Sequence, residues 1–140
     1  SKVFELISSG HTLGLFQIES DGMQELNRNL KPDCFEDIIA VLALYRPGPR
    51  DAGMTDDFVK RKNGEEKVTY FFDDFTPILE PILKPTYGVI VYQEQVMQIV
   101  QVIGGFSLGE ADIIRRAMGK KNIEYMKQKA GEFAEGAEKK

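Results

Sequence analysis

Apolar positions along the chain recur mostly at helical spacing. Val3, Phe4, Glu5, Leu6 and Ile7 read as the end of an amphipathic helix already under way. Asp33 followed by Glu36 has the spacing of a capping box, and the segment it opens, Phe35 to Tyr45, is apolar almost all round. A helix without a polar face is expected at the buried centre of a fold. Arg46-Pro47-Gly48-Pro49 should end it, because proline removes an amide donor and restricts the residue before it. Thr55 is placed to cap a short helix through Lys62 that stops at Asn63-Gly64, and another short helix is expected from Pro77 to Leu83. From Gln93, the residues Val96, Ile99, Val100 and Ile103 share one stripe that Gly104-Gly105 terminates. Ser107-Leu108-Gly109-Glu110 is a second capping box, opening a helix to Met118 with Gly119 at its end. Asn122 starts a last helix lined by Ile123, Met126, Ala130, Phe133 and Ala137, and the chain from Ala130 to Lys140 still favours helix where it stops. Val68 to Phe72 and Gly88 to Tyr92 alone mix β-branched and aromatic residues, so they are expected to pair. The fold class is therefore mainly α, a compact multi-helix domain with at most a small two-stranded β element.

Composition narrows the class without naming a function. With 140 residues, 42% hydrophobic and 29% charged, the chain is one domain's worth of ordinary globular polypeptide. A disordered tail and a collagen-like repeat are excluded. The longest apolar run, Ile38 to Tyr45, is far shorter than the ~20 residues of a bilayer-spanning helix, so no membrane partner is expected. The lone Cys34 forms no internal disulfide and fits a cytoplasmic setting, while the lone His11 anchors no His-rich metal site. No targeting segment follows Ser1, and both ends read as cuts in a longer protein. A net charge of -4 opposes nucleic acid at long range, so any phosphate contact must come from a local cluster.

One such cluster exists. On a helix, Leu108, Ala111, Ile114 and Met118 form an apolar stripe, and Arg115 falls between Leu108 and Ala111, inside it. Arg116, Asp112 and Lys120 share the neighbouring flank, and Lys121 follows. An arginine on an apolar face is costly unless an anion meets it, and the guanidinium fork matches two phosphate oxygens at once. Arg115, Arg116, Lys120 and Lys121 thus form an anion-binding surface suited to a triphosphate. Spacing alone also fits a solvated face, with Asp112 and Arg116 in an ordinary salt bridge and the lysines complementing the helix dipole.

Other constellations carry less. Gly104 to Gly109 lacks the lysine and hydroxyl of a phosphate-cradling loop and reads as a turn. His11 has no nucleophile at a recognisable spacing. Asp56-Asp57 and Asp73-Asp74 have the chemistry of Mg²⁺ ligands, but adjacent acids at such places are far more often helix starts and turn formers. Lys60-Arg61-Lys62 is either a solvated helix end or a touch point for a DNA backbone. Tyr92-Gln93-Glu94-Gln95 reads as a cap, or as an aromatic and two amides offered to a ligand.

Five blocks in fixed order are far more specific than any one of these motifs. They are Gly14 to Ser20 (GLFQIES), Lys31 to Ala40 (KPDCFEDIIA), Tyr45 to Pro49 (YRPGP), Tyr87 to Met97 (YGVIVYQEQVM) and Arg115 to Lys121 (RRAMGKK). In these blocks the chain resembles the fingers region of the C-family bacterial replicative DNA polymerases, over nearly its whole length. The resemblance implies that residues 1–140 are part of a fingers domain of a DNA-directed DNA polymerase, a nucleotidyltransferase of bacterial chromosome replication. It implies deoxynucleoside triphosphate, primer-template DNA and other replicase subunits as partners. It also implies Mg²⁺ as cofactor, held by palm-domain aspartates outside this segment, so no catalytic or metal residue is assigned here and the segment alone is expected to be inactive. The fingers' arginines meet the incoming triphosphate, which by resemblance assigns Arg115 and Arg116, with Lys120 and Lys121 as helpers. Phe16, Gln17, Arg46, Tyr92 and Gln93 lie in matching blocks as candidate nucleotide or template contacts. The alternative of a different class is a non-catalytic helical interaction module whose basic helix docks an acidic partner protein.

Overall fold

Helices form where the apolar stripes fall, and they account for all the regular structure among the described residues. The computed structural model describes residues 1–46, 53–71 and 73–140. The proline signal at Pro47 to Pro49 and the strand expectation at Phe72 therefore lie partly or wholly outside the described residues. In chain order the helices are α1 (Lys2–Ser8), α2 (Asp21–Leu30), α3 (Phe35–Leu44), α4 (Met54–Lys62), α5 (Thr76–Leu83), α6 (Gln93–Val102), α7 (Leu108–Gly119) and α8 (Ile123–Ala137). Two short 3₁₀ turns, Asp73–Phe75 and Lys84–Thr86, flank α5. The chain divides into two compact units, Ser1–Thr69 and Tyr70–Lys140.

In the first unit α2 packs against α1, α3 and α4. Helix α2 is absent from the expected elements, although its buried Met23, Leu26 and Leu30 recur at i, i+3 and i+7 with the polar Asn27 on the same face. Helix α3 departs from expectation in two ways. Its buried face is Asp37, Ala40, Val41 and Leu44, whereas Phe35 and Ile39 are 66% and 43% exposed, so it is not enclosed all round. Its reciprocal cap is Asp37 rather than Glu36: the carboxylate accepts the N–H of Asp33 at 3.0 Å and of Cys34, the N-cap residue, at 3.4 Å. Thr55 does not cap α4 either. Gly53 occupies that position, and the buried Thr55 hydroxyl donates to the Leu44 carbonyl at 3.2 Å, joining α4 to the end of α3. Helix α4 ends at Lys62 before Asn63-Gly64, as the sequence indicates.

The second unit is built on Leu79, Leu83 and Ile103, with Tyr70, Phe75, Ile78, Ile82, Ile90, Ile99, Phe133 and Ala137 packed around them. Helix α6 packs against α5 and α7, and α7 against α8. Among the described residues no strand forms. The 88–92 segment spends its amides locally: Val89 N–H donates to Thr86 O at 2.9 Å, and Val91 and Tyr92 N–H both donate to Gln95 Oε1, at 2.8 and 2.9 Å. Those donors are not offered to a ladder, which is why β propensity yields an extended connection here. Among the described residues no helix is long and apolar enough to cross a membrane.

Candidate functional site

The second unit brings together most of the residues that the sequence singles out. Helix α7 starts on the expected capping box: Ser107 Oγ accepts the Glu110 N–H at 3.3 Å, and Glu110 Oε2 accepts the Ser107 N–H at 2.8 Å and hydroxyl at 2.7 Å. Those bonds hold the Glu110 carboxyl below its usual range. Ala111 and Ile114 face inward, at 0% and 3% exposure, while Leu108 and Met118 stay exposed. The apolar stripe is thus buried only at its middle.

Arg115 and Arg116 leave the flank of this helix and meet one carboxylate. Asp112 Oδ1 accepts from Arg115 Nε at 2.9 Å and Nη2 at 2.8 Å, and Asp112 Oδ2 pairs with Arg116 Nη2 at 2.6 Å. Asp112, one turn earlier, is thus the same-chain carboxylate that meets Arg115 as well as Arg116, one of the two possibilities that spacing leaves open. The Arg115 guanidinium in turn holds the Asp112 carboxyl below its usual range, so it stays ionised at neutral pH. Neither arginine is sealed. Their side chains are 33% and 67% exposed, and a cleft of about 220 Å³ opens beside Arg115, lined also by Gln93, Val96, Met118 and Gly119. Lys120 and Lys121 are exposed just past the helix end, and among the described residues neither pairs with a carboxylate. Lys121 rather than Gly119 takes the left-handed conformation that closes the helix, with φ 53°.

Gln93 belongs to the same place. It is the first residue of α6, and its Oε1 accepts from Arg115 Nη1 at 3.4 Å. Tyr92 is the half-buried N-cap of α6. The backbone at Tyr92, from which α6 and Gln93 start, is held by Gln95, a residue that the sequence places only within a cap. Its Oε1 takes the Val91 and Tyr92 amides, while its Nε2 donates to Thr86 Oγ1 at 2.8 Å and Ile82 O at 3.3 Å. Its signal is a glutamine three residues after a poor N-cap residue.

Phe16, Gln17 and Arg46 belong to the first unit. Phe16 is 86% exposed and Gln17 has φ 66°, on a loop pinned by the Thr12 hydroxyl on the Ile18 carbonyl and by Gly14 N–H on Glu19 Oε2 at 3.1 Å. Arg46 is exposed, its N–H donating to Leu44 O at 2.8 Å.

The one group of three metal-ligating side chains that lies together among the described residues is Asp33, Cys34 and Asp37. It does not suit Mg²⁺. Burial pushes the Cys34 thiol up, keeping it protonated, and Asp37 is already bonded to backbone amides and to Lys62 Nζ at 3.2 Å. Asp56, Asp73 and Asp74 are exposed first-turn residues outside that group.

Fold and site together define an all-helical module that displays a cluster of cations beside an open cleft. Residues 1–140 match the bacterial DNA polymerase III alpha subunit finger domain, and the chain belongs to that family. It is 67% identical over 139 residues to the DNA polymerase III subunit alpha of Campylobacter jejuni, which covers 99% of this chain and 11% of the relative. It is 63% identical over 136 residues to that of Helicobacter pylori, and 52% identical over 139 residues to that of Escherichia coli. The chain thus spans about one ninth of the length of these relatives.

Proposed function

We propose that this chain is the part of a DNA-directed DNA polymerase that receives the triphosphate of the incoming deoxynucleotide. Arg115 and Arg116 are the principal ligands, Lys120 and Lys121 add charge, and Gln93 holds Arg115 from α6. Two arginines sharing one carboxylate, one of them lining an open cleft, with two exposed lysines just past the helix end, carry this reading. Phosphoryl transfer is catalysed largely by positioning and by compensating charge on the phosphate oxygens, which is what guanidinium and ammonium groups supply. Mg²⁺ supplies the remaining charge compensation on carboxylates outside residues 1–140, so this segment binds and orients without catalysing. Phe16, Gln17, Arg46 and Tyr92 are further contacts to nucleotide or template. The setting is bacterial chromosome replication in the cytoplasm, on primer-template DNA and alongside other replicase subunits.

The test is steady-state incorporation by the full-length subunit carrying Arg115→Ala or Arg116→Ala. Either change should lower kcat/KM for deoxynucleotide by about 10²-fold, the usual cost of removing one preorganised donor to developing charge. Unchanged kinetics in both variants would reject the assignment.

A further inference from the structure

Consecutive residues on a helix point about 100° apart, so Arg115 and Arg116 should diverge. Two helical positions neighbour both of them, three residues from one and four from the other: 112 and 119. Position 112 holds an aspartate that takes Arg115 on Oδ1 and Arg116 on Oδ2. Position 119 holds a glycine with open space where a Cβ would stand. The two guanidinium groups are therefore drawn onto one flank from the N-terminal side, while their C-terminal side, next to Lys120 and Lys121, stays clear.

We infer that Asp112 is a positioning residue that sets the two arginines side by side to receive one polyphosphate. A carboxylate suits this task in three ways. It is a two-oxygen acceptor, so each guanidinium has its own oxygen. It is 29% exposed, so water competes with its bonds and a more highly charged anion can draw the arginines forward. Arg115 is also held by Gln93, whereas among the described residues Arg116 is held by Asp112 alone, so Arg116 depends on it most. This inference rests on the reading of the arginines as triphosphate ligands.

The experiment measures KM and kcat for deoxynucleoside triphosphate on primer-template DNA with the full-length polymerase subunit. It compares wild type, Asp112→Ala, Asp112→Asn, Arg115→Ala with Arg116→Ala combined, and that pair with Asp112→Ala added. Asp112→Ala should raise KM about tenfold with kcat changed less than about twofold, since misplaced binding groups weaken capture before chemistry. Asp112→Asn, of the same shape but with one acceptor oxygen, should raise KM by a smaller factor. In the background lacking both arginines, Asp112→Ala should change nothing further. A wild-type KM in Asp112→Ala or Asp112→Asn overturns the inference while the arginine assignment stands. An equal rise in KM with and without the arginines also overturns it, because Asp112 then acts elsewhere. If removing both arginines leaves KM unchanged, the triphosphate assignment itself fails, and this inference with it.

Discussion

Asp37 is a carboxylate whose burial opposes its charge. It is 3% exposed on α3. Burial is the largest influence and raises its pKa, but the Asp33 amide and the Lys62 ammonium at 3.2 Å together outweigh it, leaving the carboxyl below its usual range. Asp37→Ala removes the acceptor of the Asp33 and Cys34 amides and the nearer of two carboxylates on Lys62, which keeps Asp33 at 3.5 Å, so it should destabilise the first unit by about 1–3 kcal/mol. The measurement is hydrogen-exchange protection of the α3 and α4 amides, and wild-type protection would refute it. A carboxyl lowered on folding stabilises above the ordinary value of about 3.9 and loses that contribution as pH falls through the folded value. Wild type should therefore show an acid-dependent loss of protection below about pH 4 that Asp37→Asn lacks. The sequence announces a capping acid at this place but not which one. Asp33 and Glu36 have the familiar spacing, and only the N-cap at Cys34 moves the role to Asp37.

At the scale of elements, local signals proved legible and distant ones did not. The Ser107 and Glu110 box, the Asn122 cap of α8 with Oδ1 accepting Tyr125 N–H at 3.1 Å, and the Gly105 turn at φ 73° are set by neighbours in sequence. The exposure of Phe35 on α3 and the absence of paired strands among the described residues depend on what packs where, which periodicity does not encode. The approach of α8 to the α6–α7 turn belongs with these. A Cβ on Gly136 would stand 2.1 Å from the Gly104 carbonyl oxygen and 2.6 Å from its carbon. Both are backbone atoms of a turn that Phe106 and Phe133 enclose, so the contact cannot relax by rotating a side chain. Gly136→Ala should cost at least about 1–3 kcal/mol through overpacking, despite the better helix propensity of alanine. The check is exchange protection of the α8 amides, which should fall selectively near the C-terminal end. Undiminished protection would mean that the turn yields at little cost.

For the molecule as a whole, charge is the property most easily read and most easily misread. A net charge of -4 argues against phosphate ligands, yet Arg115, Arg116, Lys120 and Lys121 stand within seven residues. Composition averages over the chain, whereas a triphosphate samples only the field within about 10 Å at 0.1 M salt. Residues 112–121 carry four cations and one acid, so the local balance is positive where the whole chain is negative. What the sequence left open was whether the arginines already had partners, and the answer is both: they share Asp112, and one side of each stays exposed. The four cations should then respond to salt in two different ways. Lys120 and Lys121 are exposed and act through solvent, so their attraction is screened, while direct guanidinium contacts are screened less. In the full-length subunit with saturating primer-template, Lys120→Ala combined with Lys121→Ala should raise the deoxynucleotide KM at low salt and converge on wild type near 1 M, where the Debye length is about 3 Å. Arg115→Ala should raise KM at every salt concentration. Parallel salt dependences in wild type and the lysine variant would place both lysines outside the field of the triphosphate, leaving the arginines alone to bind it.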